Sequence, residues 1–219
     1  MGTAIGELCV KEEISLDYLK GKTLGVDAHN IIYQFLSSIR GPDGTPLMDQ
    51  DGNVTSHLTG LLYRTTNLLE KGIKPVFVFD GKPHDLKAET IIERHKIRTE
   101  ATQKHEQALK DGNMEDARKF GSRSLKLTPQ MIEDAKTLLN LMGLPIIVAL
   151  QDGEAQISQM CSNGNLAGCV SQDYDSLLFG APQVFRNITV AGRRKVPGKN
   201  FYVDVSPEKI DLEKTLTTL

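Results

Sequence analysis

The chain has 219 residues, 39% of them apolar, 25% charged and 5% aromatic, with no tryptophan; that is enough for one domain with a real core and too regularly apolar for a disordered chain. Its 26 basic and 28 acidic residues give a formal net charge of −2, so bulk charge does not mark a nucleic-acid binder. No run approaches the roughly 18 apolar residues of a membrane span, the N-terminus lacks a basic and then apolar leader, and Cys9, Cys161 and Cys169, without any CxxC, read as reduced thiols of a cytosolic or nuclear protein.

Taken in chain order, TLGVDAH (23–29) is a short apolar run ending in a carboxylate. NIIYQFLSSIR (30–40) carries Ile31, Phe35 and Ile39 at helical spacing, and 41–53, dense in Gly, Pro, Asp and Asn, is a loop. Thr55 or Ser56 caps a helix bearing Leu58, Leu61, Leu62, Leu68 and Leu69, which stops at Lys71-Gly72. IKPVFVFDG (73–81) is a second buried strand ending in Asp80. From Lys82 to Lys126 the chain is helical in propensity but thinly apolar, broken at Gly112-Asn113, and reads as an insertion standing away from the core. It holds 11 of the 26 Lys and Arg against 8 acidic residues, which leaves the remainder acidic. Thr128-Pro129 opens a helix closed by Gly143. LPIIVAL (144–150) is expected as a third buried strand, GEAQISQMCSNG as a helix, and LAGCVSQD (166–173) as a fourth strand that again ends in acid. QVFRNITV and NFYVDV read as later strands split by a basic turn, and SPEKIDLEKTLTTL as a capped helix. Buried apolar strands alternating with helices are the pattern of a parallel sheet in an α/β fold.

Four strands therefore end in carboxylates: Asp27, Asp80, Asp152 with Glu154, and Asp173 with Asp175. Open parallel sheets bind ligands at the carboxyl ends of their strands. Six acids converging there need cations to stay ionised together. Oxygen ligands without His or Cys select hard ions, Mg²⁺ or Mn²⁺, and the chemistry that suits such a pair of ions is two-metal phosphodiester hydrolysis. Each acid also has a plainer role open to it. Asp27 and Asp80 can cap helices, Glu154 can sit in a first turn facing the helix dipole, and Asp173 or Asp175 can cap a short helix at SLLFG. His29 reads as a packed residue at a helix start. The sequence has no GxxxxGK[ST], no GxGxxG and no GxSxG, and Asp27 lacks the second Asp two residues on that a phosphoaspartyl phosphatase needs.

VDAHNIIYQFL, TSHLTGLLYRT, GIKPVFVFDGKP, GEAQ, SQDYDSLLFGAP and RRKVPGKN together resemble the flap endonucleases, structure-specific 5′ nucleases of the XPG/Rad2 family, in wording most like the archaeal members. The resemblance covers essentially the whole chain. It implies a Rossmann-like (PIN-like), mostly parallel sheet with helices on both faces, and a nuclease core split as 1–81 and 128–219 around a helical arch at 82–127. It further implies flap endonuclease and 5′ exonuclease activity on branched DNA in replication and repair, with two Mg²⁺ ions for which Mn²⁺ substitutes. Asp27 and Asp80 then match one metal pocket, Asp152 and Glu154 the paired acids before the GEAQ helix, and Asp173 and Asp175 the second pocket. Lys87 and Arg94 match the basic pair that polarises the scissile phosphate, with Arg98 one turn further on; without the family they read as a solvated face. Tyr33 matches an aromatic that stacks a base, its alternative being a core tyrosine. Arg40, Arg64, Arg193, Arg194 and Lys195 match duplex contacts, or a polar rim.

Two departures stand out. The archaeal members read Pro-Ser-Glu-Gly-Glu-Ala where this chain has Leu150 to Ala155 with Asp152, one methylene shorter. The family also continues past the position of Leu219 into a last sheet-edge acid, a K⁺-assisted duplex-binding element and a sliding-clamp peptide. The chain is accordingly expected to be a C-terminally truncated catalytic part without the clamp peptide, monomeric, membrane-free and cytoplasmic, or nucleoid-associated if archaeal. The rival expectations are a PIN-type ribonuclease and a DNA-binding remnant with little catalysis.

Overall fold

The computed structural model describes residues 5–41, 45–82, 88–189, 192–195 and 202–218. In chain order the elements are β1 (Lys11–Glu13), a 3-10 turn (Leu16–Leu19), β2 (Thr23–Asp27), α1 (Ala28–Ser38), α2 (Ser56–Glu70), β3 (Lys74–Phe79), α3 (Ala88–Lys110) and α4 (Met114–Arg123). They continue with α5 (Pro129–Leu141), β4 (Ile146–Val148), α6 (Gly153–Ser162), β5 (Cys169–Val170), α7 (Asp175–Leu178), β6 (Gln183–Arg186), β7 (Gly192–Lys195), β8 (Tyr202–Val205), β9 (Glu208–Asp211) and α8 (Leu212–Thr218). No helix among the described residues is long and apolar enough to cross a membrane.

Seven strands form one sheet in the order β1-β9-β6-β5-β2-β3-β4. The pairs β6/β5, β5/β2, β2/β3 and β3/β4 are parallel, whereas β9 runs antiparallel to β6 and to β1. Connections run outward from β2 through β3 to β4, then return across the sheet through α6 to β5. The direction reverses between β2 and β5, the place where open α/β sheets bind ligands. A separate ribbon pairs β7 with β8.

The chain falls into two compact units: residues 1–30, 64–81 and 143–219, which hold the large sheet, and residues 31–63 and 82–142, whose described elements are helices joined by loops, with isolated bridges Arg40–Pro46 and Met48–Val54. In the first, α6 lies against β2, β3 and β5. Val76, Val78, Ile157, Cys161, Leu166, Cys169, Leu177, Val184 and Ile210 form its buried core, and Cys161 and Cys169 are free thiols. Gly25 makes the approach of α6 possible: a Cβ there would lie 2.5 Å from Ile157 Cγ2 and 2.8 Å from Leu166 Cδ1. Both neighbours are buried and cannot swing aside, so Gly25→Ala is expected to cost about 1–3 kcal/mol, read as a lower urea midpoint at unchanged m.

In the second unit α3 and α4 pack on each other through small residues. Ala101, Ala108 and Ala117 are buried, His105 Nδ1 lies 2.7 Å from the Ala117 carbonyl, and a Cβ on Gly121 would touch the His105 ring at 3.0 Å. The thin stripe on α3 is thus a close-packing face of alanine, with Ala101, His105 and Ala108 spaced four and three residues apart. Gly112, at φ 68°, turns the chain between the helices, and the Asn113 side chain accepts from Asp116 N to cap α4.

Two expectations are corrected. The segment 144–150 is not a buried strand: β4 spans three residues at the sheet edge, with Val148 57% and Leu150 88% exposed. Ser206-Pro207 does not open a helix. Glu208–Asp211 instead pairs with both β6 and β1 and buries Ile210, and the helix starts only at Leu212, where Asp211 Oδ1 accepts from Lys214 N. The all-polar β1 was not foreseen. Its Lys-Glu-Glu is exposed and blunts the other edge of the sheet.

Candidate functional site

The six acids all fall at the carboxyl ends of four neighbouring strands, β5, β2, β3 and β4. Asp27 ends β2 and Asp80 follows β3. Asp152 and Glu154 sit where the chain leaves β4 for α6, and Asp173 and Asp175 follow β5. One side-chain oxygen on each of five acids is held by a hydrogen-bond donor. Asp27 Oδ1 accepts from Asn30 N at 3.1 Å, and Asp152 Oδ1 from Ala155 N at 3.1 Å, so each caps the helix that follows it. Asp80 Oδ1 reaches across to the same α6 N-terminus and accepts from Gly153 N at 2.8 Å. Asp173 Oδ2 accepts from Asn30 Nδ2 at 2.8 Å. Glu154 Oε1 accepts from Ser171 Oγ at 2.6 Å and Ser176 Oγ at 3.2 Å, which ties α6 to the β5–α7 loop. Capping and convergence are thus compatible: the helix starts hold the acids in place.

His29 is a packed residue here. Its ring lies edge-on to Phe79 at 5.8 Å, and its Nδ1 accepts from Asp80 N at 3.1 Å, with Asp80 Oδ2 3.5 Å away. Sequence reasoning passed over Asn30, Ser171 and Ser176. The available signals were Asn30 three residues after Asp27, where a helix amide returns to its cap, and the two serines flanking the Asp-Tyr-Asp triplet.

The cluster is electrostatically strained. Asp27, 8% exposed, has its carboxyl pushed well above the usual range, first by burial and then by the charges of Glu154, Asp80 and Asp152. Glu154, 9% exposed, is pushed from 4.5 up to about 7 by burial, helped by Asp175 and Asp173 and opposed by the two serine hydroxyls. Folded Glu154 therefore keeps its proton to about pH 7, whereas the unfolded chain releases it near 4.5. In chelator, stability is expected to fall as pH rises through that window, by about 3 kcal/mol at roughly 1.4 kcal/mol per pH unit of separation. Glu154→Gln keeps an oxygen for both serines and should flatten the slope; an equal slope in urea titrations of the two proteins would refute the assignment.

This donor set suits hard divalent cations, since it offers carboxylate oxygen from a partly buried cluster of like charges. Among the described residues no three such side chains close on one point tightly enough to hold an ion alone. Mg²⁺ needs less, because it keeps several waters and takes one or two carboxylates together with substrate phosphate.

The basic candidates lie as follows. Lys87 is outside the described residues, and Arg94 lies in α3 with its side chain outside them. Arg98, also on α3, places its guanidinium 5.8 Å from the Tyr33 ring centroid, and both are partly buried. Arg40 is partly buried and its Nε donates to the Leu36 carbonyl at 3.1 Å. Arg64 is exposed on α2. Arg193, Arg194 and Lys195 form β7, in register with Asp204, Val203 and Tyr202 of β8; their side chains are outside the described residues.

Comparison with known proteins matches residues 5–101 to the XPG N-terminal domain and residues 143–219 to the XPG I-region. Flap endonuclease 1 of Pyrococcus furiosus is 53% identical over 219 residues, which are 100% of this chain and 64% of that relative. The chain thus spans just under two thirds of the length of that relative. The solved flap endonuclease-1 from Methanococcus jannaschii superposes with a TM-score of 0.72 at 42% identity, over 99% of this chain and 65% of that one. The catalytic core of Rad2 in complex with DNA substrate gives 0.64 at 30% identity, over 94% of this chain and 52% of that one.

Proposed function

Because the chain belongs to the XPG family, which includes the flap endonucleases, we propose that it is the nuclease core of a metal-dependent, structure-specific 5′ flap endonuclease with 5′ exonuclease activity on branched DNA. The observation that carries this reading is the set of six carboxylates on four adjacent strand ends, with two of them held in a state that disfavours negative charge.

Asp27, Asp80, Asp152, Glu154, Asp173 and Asp175 are the residues that would hold two Mg²⁺ ions, or Mn²⁺ in their place. The chemistry supplied by such ions when bound is activation of water and stabilisation of charge on a phosphodiester. The chain's own residues do the rest. Asn30 N and Nδ2 orient Asp27 and Asp173 together, Gly153 N orients Asp80, and Ser171 and Ser176 orient Glu154. Glu154, whose carboxyl is pushed up to about 7 by burial, would have to give up its proton to hold a cation. Asp152 keeps its Oδ1 on Ala155 N, so its shorter side chain is held close to the start of α6. Lys87 and Arg94 act on the scissile phosphate by withdrawing charge from it. Tyr33 offers a stacking face for a base, and the Arg98 guanidinium lies 5.8 Å from its ring centroid. Arg40, Arg64 and the β7 basic run contact the duplex backbone and set register.

The test is cleavage of three labelled substrates, a 5′-flap duplex, a linear single strand and an RNA hairpin, in Mg²⁺ and in EDTA. Mg²⁺-dependent incision at the flap junction is expected. Cleavage confined to the RNA would instead establish a PIN-type ribonuclease, DNA binding without any incision would establish a binding remnant, and full activity in excess EDTA would exclude the metal site.

A further inference from the structure

Tyr174 lies between Asp173 and Asp175, and its surroundings are built by the antiparallel side of the sheet. Arg186, the last residue of β6, sets its guanidinium 4.3 Å from the Tyr174 ring centroid and donates from Nη1 to Tyr174 Oη at 2.5 Å. Its Nε donates to the Gln172 carbonyl at 3.1 Å. Nη1 also meets Glu208 Oε2 at 3.2 Å, and Glu208 is the residue directly opposite Arg186 in the β6/β9 register. The guanidinium is only partly exposed and is gripped from the strand side by Glu208. On the N-terminal side, Lys11 Nζ stands 5.6 Å from the Tyr174 ring centroid, and a Cβ on Gly6 would lie 2.7 Å from Tyr174 Cζ and Oη.

We propose that Arg186 is a positioning residue for the site: its planar fork clamps the backbone of Gln172 and the ring of Tyr174, and so fixes the direction in which Asp173 and Asp175 point. The inference rests on the metal reading given above. The four residues 171–174 between β5 and α7 carry Asp173 and lead into Asp175, and both carboxylates are repelled by Glu154, so their direction depends on how this segment is held. The hydrogen bonds from Asn30 Nδ2 to Asp173 Oδ2 and from Asp173 N to Ser171 Oγ hold the near end. Arg186 holds the backbone before Asp173 and the ring after it at once, which a lysine ammonium, lacking a rigid fork, cannot do. Groups that orient metal ligands without touching the metal characteristically change affinity by 10–100-fold when removed.

The experiment uses this chain and the variants Arg186→Met, Arg186→Lys and Tyr174→Phe. Mn²⁺ affinity is measured by calorimetry, and hydrogen exchange at residues 173–177 and at the amides of β2 and β3 is measured in chelator. Arg186→Met is expected to weaken Mn²⁺ binding by about tenfold and to speed exchange at 173–177 while β2 and β3 keep their protection. Arg186→Lys is expected to follow it, and Tyr174→Phe, which loses one hydrogen bond and keeps the ring, to move the same way by less. Wild-type Mn²⁺ affinity together with unchanged exchange in Arg186→Met overturns the proposal, as does full recovery by lysine. Should Arg186→Met lose protection throughout the sheet, Tyr174→Phe decides: local loosening upholds the clamp, and wild-type behaviour overturns it. A wild-type chain that binds no Mn²⁺ refutes the metal reading instead, while faster local exchange in Arg186→Met would still establish its hold on the loop.

Discussion

Asp173→Ala is expected to abolish Mg²⁺-dependent incision of a 5′-flap duplex while leaving duplex binding within a few-fold of wild type. Asp173 is a carboxylate with no phosphate contact to lose, so its removal acts on the chemistry and not on the electrostatic grip on DNA. Ion-based stabilisation of a transferring phosphoryl group supplies several kcal/mol, and at about 1.4 kcal/mol per factor of ten the rate loss is on the order of 10³-fold or more. The substitution also frees Asn30 Nδ2, which donates to Asp173 at 2.8 Å. Asn30→Ala is therefore the control: it leaves the carboxylate in place, loosens it, and should lose far less activity. Single-turnover rates and gel-shift affinities on one flap substrate separate the two effects. Near-wild-type cleavage by Asp173→Ala would remove it from the proposed site.

Lys87→Ala and Arg94→Ala should each slow single-turnover cleavage by 10²–10³-fold, on the order of 3–4 kcal/mol for a lost preorganised donor, with a much smaller loss in duplex affinity. The reasoning is electrostatic. A cation aimed at a phosphate whose charge is being redistributed stabilises the transition state more than the bound substrate, so it appears in the rate and not in the affinity. A solvated arginine on a helix face would behave the other way, weakening binding slightly and altering the salt dependence by about one ion. Measuring rate and affinity from 50 to 200 mM salt distinguishes the two. Normal single-turnover rates for both variants would return these residues to the role of a solvated face.

The acids were legible in the sequence because a carboxylate closing an apolar run is conspicuous, and because the same event recurs at four strands. Their partners were not. Asn30, Ser171 and Ser176 are neutral polar residues with no periodicity of their own, and Asn30 meets Asp173 across 143 residues of chain. Edge and centre of the sheet were equally hidden: Ile146-Ile147-Val148 is as apolar as a central strand, and only the absence of a further neighbour exposes it. Ser206-Pro207-Glu208 carries every local sign of a helix start, yet pairing with β6 and β1 draws 208–211 into the sheet, since two hydrogen-bonded neighbours and a buried Ile210 outweigh a weak local preference. The α3 face is thin in sequence because alanine counts little in an apolar tally, although it permits the closest helix approach.

The return of the chain through α6 also sets an order of events in folding. Asp80 and its donor Gly153 are 73 residues apart, and Asn30 and Asp173 are 143 apart. Neither closure forms early, because loops of that size must be paid for in entropy before any contact rewards them. On loop entropy the acidic edge is therefore expected to assemble late, once β5 pairs with β2 and brings Asp173 and Asp175 to the same edge as the other acids. That step sets like charges side by side, a cost that the divalent cations proposed above would lower. Their binding would then require the completed sheet, and its free energy would add to the stability of the whole unit.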